Sequence, residues 1–162
     1  MAGVLDGKIL VHNHCYRADE MAVMLDVARE FGYRVTAFHH AVEAYKIADL
    51  LAESGTCAAV WADWWGFKVE VFDAVRDNAA MVDAAGACAI VQSDSEIGIQ
   101  RLNQETAKIM ASAQRSGWDV TPESPIAWIT ANAASALGVG DQTGTLEVGQ
   151  DWTAHRDEYD SR

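Results

Sequence analysis

Residues 34–55, RVTAFHHAVEAYKIADLLAESG, hold the unit that decides the fold. Arg34 to His39 is a short apolar run of strand length, and it stops at a pair of histidines. Ala44, Ile47, Ala48 and Leu51 then recur with the spacing of one helix face. Gly55 stands where a helix-ending glycine belongs. The same reading extends in both directions. Upstream, Lys8 to His14 (KILVHNH) is a strand, followed by a helix with Met21, Leu25, Ala28 and Phe31 on one face and Gly32 at its end. Downstream come a third strand, Cys57 to Trp61 (CAAVW), and a third helix marked by Phe72, Val75, Ala79 and Val82 before Gly86. Cys88 to Gln92 (CAIVQ) is a fourth strand, and a helix follows around Leu102 to Ala113. A last helix starts at Thr121 as N-cap, with Pro122 in the first helical position, and ends at Gly138.

Strands that alternate with helices make βαβ units and a parallel sheet. These strands are apolar on both faces, as strands buried between layers are. Two architectures fit: four strands of a (β/α)₈ barrel, or a small open doubly wound sheet. A complete barrel takes about 250 residues, so a chain of 162 residues supplies half of one.

Composition narrows the function. Half the residues are hydrophobic and 22% are charged, the balance of a globular domain. Twelve basic against 24 acidic residues give a formal charge of −12, which argues against nucleic acid or an anionic membrane as partner. Apolar runs fall well short of the about 18 residues of a membrane span, and MAGVLDGKIL does not read as a signal peptide. Cys15, Cys57 and Cys88 lie apart with no CxxC pair. They are expected as buried thiols in a reducing, cytoplasmic setting rather than as a disulfide frame.

The chemistry-bearing residues gather where strands end: His12-Asn13-His14, His39-His40 and Ser93-Asp94-Ser95. In parallel α/β folds the carboxyl ends of the strands are where sites form. Neutral imidazoles and a carboxylate suit a borderline divalent metal such as zinc. Such an ion lowers the pKa of bound water to about 7, and a neighbouring carboxylate can take the proton and pass it on. Plainer roles fit the same residues. A histidine at a strand end is often a hydrogen-bonded structural residue, and Ser93-Asp94-Ser95 would serve as a cap for the helix that follows. The loop Trp61-Ala62-Asp63-Trp64-Trp65-Gly66-Phe67 either walls a substrate pocket or covers the end of the sheet. Gly138-Val139-Gly140 follows a helix instead of opening one, so it is no dinucleotide fingerprint.

Read in order, VHNHCYRADEM, FHHAVEAYKIADLLAESG, ADWWGFK, VQSDS, RLNQETAK, ITANAASALGV and TGTLEVGQD resemble the amidohydrolase superfamily, in particular its imidazolonepropionase-like and prolidase-like members. The resemblance runs from about Lys8 to Asp151 and implies the C-terminal half of a (β/α)₈ TIM-type barrel. It implies His14, His40 and Asp94 as ligands of a divalent metal, most simply zinc, with Asp94 also the general base. Tyr16 and Arg17 are implied as substrate contacts. The activity implied is metal-dependent hydrolysis of a carbon–nitrogen bond in a small molecule, a cyclic amide or an acyl-proline dipeptide. The family's HxH pair and fourth-strand ligand have no counterpart in these residues. The chain is therefore expected to be a half-barrel domain, residues 1–151, with an atypical polar tail at 152–162. A half barrel is expected to leave sheet edges and an apolar interior unpaired, and hence to form a homo-oligomer or to join a complementary half-barrel chain. A non-catalytic half barrel that assembles with another chain is the alternative function, and an unrelated small doubly wound binding domain is a third.

Overall fold

In the computed structural model, which describes residues 1–64 and 66–151, four strands form one parallel sheet: β1 (His12–His14), β2 (Ala37–His39), β3 (Cys57–Val60) and β4 (Ala89–Val91). Their order is β1-β2-β3-β4, each paired with its neighbour in the chain. A doubly wound sheet reverses its order at a switch point, and this one does not, so the half barrel stands. The expected tail at 152–162, and Trp65 of the aromatic loop, lie outside the described residues.

The helices are α1 (Ala2–Leu5), α2 (Ala18–Phe31), α3 (Ala48–Ser54), α4 (Asn78–Ala84), α5 (Leu102–Arg115), α6 (Glu123–Ala127) and α7 (Ala131–Ala136). Strand alternation sorts the sheet into two faces. Phe38, Ala58, Val60, Ala89 and Val91 point to the outer face. There they form one core with Met21, Leu25 and Ala28 of α2, Leu51 of α3, Val82 of α4, Ile109 of α5, and Trp128. Ala37, Cys57, Ala59 and Ile90 point inward and pack with Ala133 and Ala136 of α7.

That inner packing corrects one expectation. Ala37, Ala59 and Ile90 are 0%, 2% and 8% exposed, so α7 covers the apolar interior at this level of the half barrel. The β4 edge is also occupied. The Val91 N–H donates to the Trp128 carbonyl at 3.1 Å, and the Asn132 side-chain amide donates to the Ala89 carbonyl at 2.7 Å. These contacts explain why the single helix expected over residues 121–138 is two. Thr130, with φ −127° and ψ −88°, breaks the helix where its corner turns to meet β4.

Gly32 and Gly55 end α2 and α3 in the left-handed conformation, at φ 71° and 65°, as the sequence predicts. Ala44, Ile47, Ala48 and Leu51 are all buried, although the first turn, Ala44–Ile47, is a 3-10 helix. Phe31, expected in the core, is exposed. So is Phe72, because the third helix begins only at Asn78. The Asn78 side chain, buried at 3% exposure, donates to the carbonyls of Ala41 and Val42 at 3.0 and 2.9 Å and accepts the Tyr45 N–H at 3.0 Å. It ties the start of α4 to the turn that follows β2.

The cysteines differ from expectation. Cys57 and Cys88 are joined in a disulfide, with Cα atoms 4.4 Å apart. The physical reason is register: Ala58 pairs with Ala89, so the residues just before them face each other on adjacent strands. A separation of 31 residues hides that proximity in the sequence. The pairing removes the cysteine argument for a reducing compartment. Cys15 alone is a free thiol among the described residues, and it is buried. Among those residues no helix is long and apolar enough to cross a membrane.

Candidate active site

The carboxyl ends of the strands bring the expected residues together. His12 and His14, two apart on β1, share its inner face. His39 of β2 lies beside them, paired in register with His14. His40 would point away if the strand simply continued. Instead it adopts φ +59°, a left-handed conformation that a residue with a Cβ takes at a cost of about 1–2 kcal/mol. The turn breaks alternation, so His39 and His40 both reach the side-chain amide of Gln92. The backbone on either side is secured, with Ala41 N–H donating to the Ala59 carbonyl at 3.2 Å and Val42 N–H to the His40 carbonyl at 2.6 Å.

The His14 and His40 rings lie 4.6 Å apart, centroid to centroid. His40 Nδ1 is 3.3 Å from Asp94 Oδ2. The neighbouring serines divide the labour. Ser93 Oγ accepts the Ser95 N–H at 3.1 Å and Ser95 Oγ accepts the Gly98 N–H at 3.0 Å, and Asp94 is left for His40. Burial lowers the pKa of His40, against the raising effect of the Asp94 charge. Burial likewise lowers that of His39, against a hydrogen bond to the Gln92 oxygen that raises it. Both imidazoles are therefore neutral near pH 7; His39 has both ring nitrogens engaged, by His12 and Gln92, whereas the contacts of His40 are all at Nδ1. Cys15, next to His14, is no thiolate donor, because burial pushes its thiol up to about 11.

Aromatic residues wall the site. Tyr16 stands edge-on to His14 at 4.8 Å, and Trp61 stands edge-on to His40 at the same distance. Trp64 and Phe67 pack on Trp61 at 5.5 and 6.0 Å, so this part of the loop both touches the imidazoles and covers the sheet end. The Lys68 ammonium lies 4.1 Å above the Tyr16 ring and is hydrogen-bonded to its hydroxyl. Arg17 turns elsewhere, its guanidinium paired with both carboxylate oxygens of Asp19 at 3.0 Å. Sequence reasoning did not single out Gln92, Asn78 or Lys68. Their polar types in otherwise apolar or loop stretches carry no spacing signal. Trp61 was seen only as part of a loop.

The donor types suit zinc, but their placement is incomplete. Among the described residues no three His, Cys, Asp or Glu side chains converge on one point. The Asp94 carboxylate is directed at the His40 Nδ1 instead of at a position shared with His14. By themselves the described residues do not complete a metal site; a metal held here would need donors from outside them.

No family model matches the sequence. The chain is 25% identical over 155 residues to Amidohydrolase tasK of Hapsidospora irregularis, covering 93% of this chain and 15% of that protein. An amidohydrolase from Thermotoga maritima MSB8 superposes with a TM-score of 0.79 at 29% identity, over 93% of this chain and 38% of its own. An adenosine deaminase from Xanthomonas campestris with bound zinc shares the fold, with a TM-score of 0.63 at 19% identity over 92% of this chain and 37% of its own. Escherichia coli guanine deaminase does so at 0.60 and 20% identity, over 90% of this chain and 36% of its own. The chain thus spans a minor part of each of these proteins. With its strands in barrel order and its histidines at their carboxyl ends, the chain is similar to the amidohydrolases over four strands of the barrel and their helices.

Proposed function

We propose that this chain is the C-terminal half of the barrel of a hydrolase acting on carbon–nitrogen bonds of small molecules, with His14, His40 and Asp94 at its reaction centre. The observation that carries the reading is the closeness of these three residues, from three separate strand ends, on the inner side of the sheet. Asp94 is half-exposed while His40 is largely buried. The carboxylate can therefore meet water and exchange a proton with a leaving amine, while the ring stays fixed. Tyr16 and Trp61 exclude solvent on the flanks and orient a substrate by contact. Arg17 joins them by exchanging Asp19 for an acidic group of the substrate. Cyclic amides and acyl-proline dipeptides are the substrate classes of this reading. A divalent metal, zinc foremost, enters it through His14 and His40 together with donors from a complementary barrel half, either a further segment or another chain. Assembly with such a half, or with a second copy, belongs to the same proposal.

The incomplete donor set favours a second reading, a half barrel that serves assembly and has lost turnover. Zinc titration of the purified chain separates them. Under the first reading, His14→Ala and His40→Ala each weaken zinc binding at least 10-fold, and, once the complementary half is joined, hydrolysis of an N-acyl-proline at saturating zinc is abolished by Asp94→Asn with the fold unchanged. Zinc affinity indifferent to both histidines refutes the first reading.

A further inference from the structure

A continuous line of polar contacts crosses the inner face of the sheet. His12 Nε2 lies 3.0 Å from the Ala136 carbonyl. His12 Nδ1 lies 2.8 Å from His39 Nε2. His39 Nδ1 lies 3.2 Å from Gln92 Oε1, and Gln92 Nε2 lies 3.3 Å from His40 Nδ1. Asp94 Oδ2 stands 3.3 Å from that same His40 nitrogen.

Both ends of this line only accept. A carbonyl oxygen has no hydrogen to give, so His12 carries its own on Nε2. A neutral His12 then has a bare Nδ1, and His39 must donate to it from Nε2. A neutral His39 in turn has a bare Nδ1, which needs a donor from Gln92. At the far end an ionised Asp94 accepts from His40, which places the His40 hydrogen on Nδ1 and asks an acceptor of Gln92. The two demands on the amide agree. Gln92 must present its NH₂ to His39 and its oxygen to His40, the reverse of the orientation just described. Amide oxygen and nitrogen have nearly the same size, and their partners decide which is which. A half turn of the amide about its last torsion exchanges them without moving either ring. In the unreversed orientation two acceptors face each other at His39, unless an extra proton sits between buried rings.

We propose that Gln92 is a positioning residue that, with its amide so reversed, links His39 to His40 in one hydrogen-bonded chain running from Asp94 to Ala136. The His40 Nδ1 hydrogen is shared between Asp94 and the Gln92 oxygen, and every hydrogen beyond it points toward Ala136. His40 is fixed as the tautomer with hydrogen on Nδ1 and a bare Nε2, the nitrogen it offers to the reaction centre. The left-handed turn at His40 serves this arrangement, since it brings two consecutive imidazoles to the two ends of one amide. The role of that bare nitrogen rests on the proposed function, but the chain of contacts does not.

The test is the ring tautomers, read by two-bond ¹H–¹⁵N correlation on the ¹⁵N-histidine-labelled protein without added metal at pH 8. The expected result is hydrogen on Nε2 in His12 and His39 and on Nδ1 in His40. In Gln92→Leu, His12 still holds the His39 tautomer. The His39 Nδ1 resonance moves toward that of an unbonded imidazole nitrogen, and the His40 Nδ1–H resonance shifts on losing its share in the Gln92 oxygen while Asp94 keeps the tautomer. A wild-type His39 with hydrogen on Nδ1, or a His40 with hydrogen on Nε2, overturns the proposal, as do ring resonances of both residues unmoved by Gln92→Leu. The wild-type measurement stands even if the variant fails to fold. Neither reads zinc or turnover, so they stand apart from failure of the hydrolase reading.

Discussion

Asn78 is the polar residue on which the site's backbone depends most, and replacing it by alanine should be costly. Its side chain makes three hydrogen bonds: two given, to the carbonyls of Ala41 and Val42, and one accepted, from the Tyr45 N–H. At about 1 kcal/mol net each these amount to about 3 kcal/mol. The true figure lies somewhat higher, because the buried Val42 carbonyl is stranded and adds a desolvation penalty of about 1–3 kcal/mol, whereas the Ala41 carbonyl keeps the Ala44 N–H at 3.0 Å. We expect Asn78→Ala to lose about 3–4 kcal/mol, a large share of the about 5–15 kcal/mol that a domain has in total. Asn78→Asp is the sharper variant. It keeps the size and the acceptor for Tyr45 but sets a carboxylate against two carbonyls, so it should be at least as damaging as alanine. Urea unfolding followed by tryptophan fluorescence gives both numbers. A loss below about 1 kcal/mol for the alanine variant, or an aspartate variant milder than alanine, would show that Asn78 does not hold the turn after His40.

Other outcomes follow from the same structure. His39 and His40 both have pKa values lowered from 6.5 by burial. Above pH 6.5 folded and unfolded chains bind no proton there; below it the unfolded chain takes protons that the folded rings refuse. Stability should fall as the pH drops through 6.5 toward the folded values, and urea midpoints that stay flat between pH 7.5 and 5.5 would contradict this. Replacing Cys57 and Cys88 together by serine opens a loop spanning 31 residues and should cost about 3–4 kcal/mol by loop entropy; equal midpoints with and without reductant would refute it. Asn132→Ala removes the 2.7 Å bond to the Ala89 carbonyl and should cost about 1–2 kcal/mol, with faster amide exchange along β4 as its signature.

The pattern of the sheet was legible because it is written in spacing. Ala44, Ile47, Ala48 and Leu51, Gly32 and Gly55 report helix faces and helix ends directly, and strands alternating with them leave few topologies. The residue types at the strand ends were legible too: His14 lies against His40, and His40 against Asp94. What escaped was whatever depends on a backbone angle or on a distant partner. Nothing in His39-His40 states that the second residue is left-handed, so two inward imidazoles in a row contradict the strand period on which the reading relied. Gln92 looked like the polar end of a strand, and Asn78 like an ordinary helix start. The helix expected from Thr121 to Gly138 was a fair reading of local propensity, overridden by the hydrogen-bonding groups on the edge of β4. Cys57 and Cys88 became partners through the register of two strands, which no local pattern encodes.

The occupied edge of β4 governs how this sheet can grow. With Val91 and Ala89 already bonded to the α6–α7 corner, a strand arriving at that side finds no vacant row of amides and carbonyls. A newcomer at β4 has to displace, trading the Trp128 and Asn132 bonds for its own. The corner thus acts as a terminator on that side of the sheet, where any extension is an exchange of bonds instead of an addition.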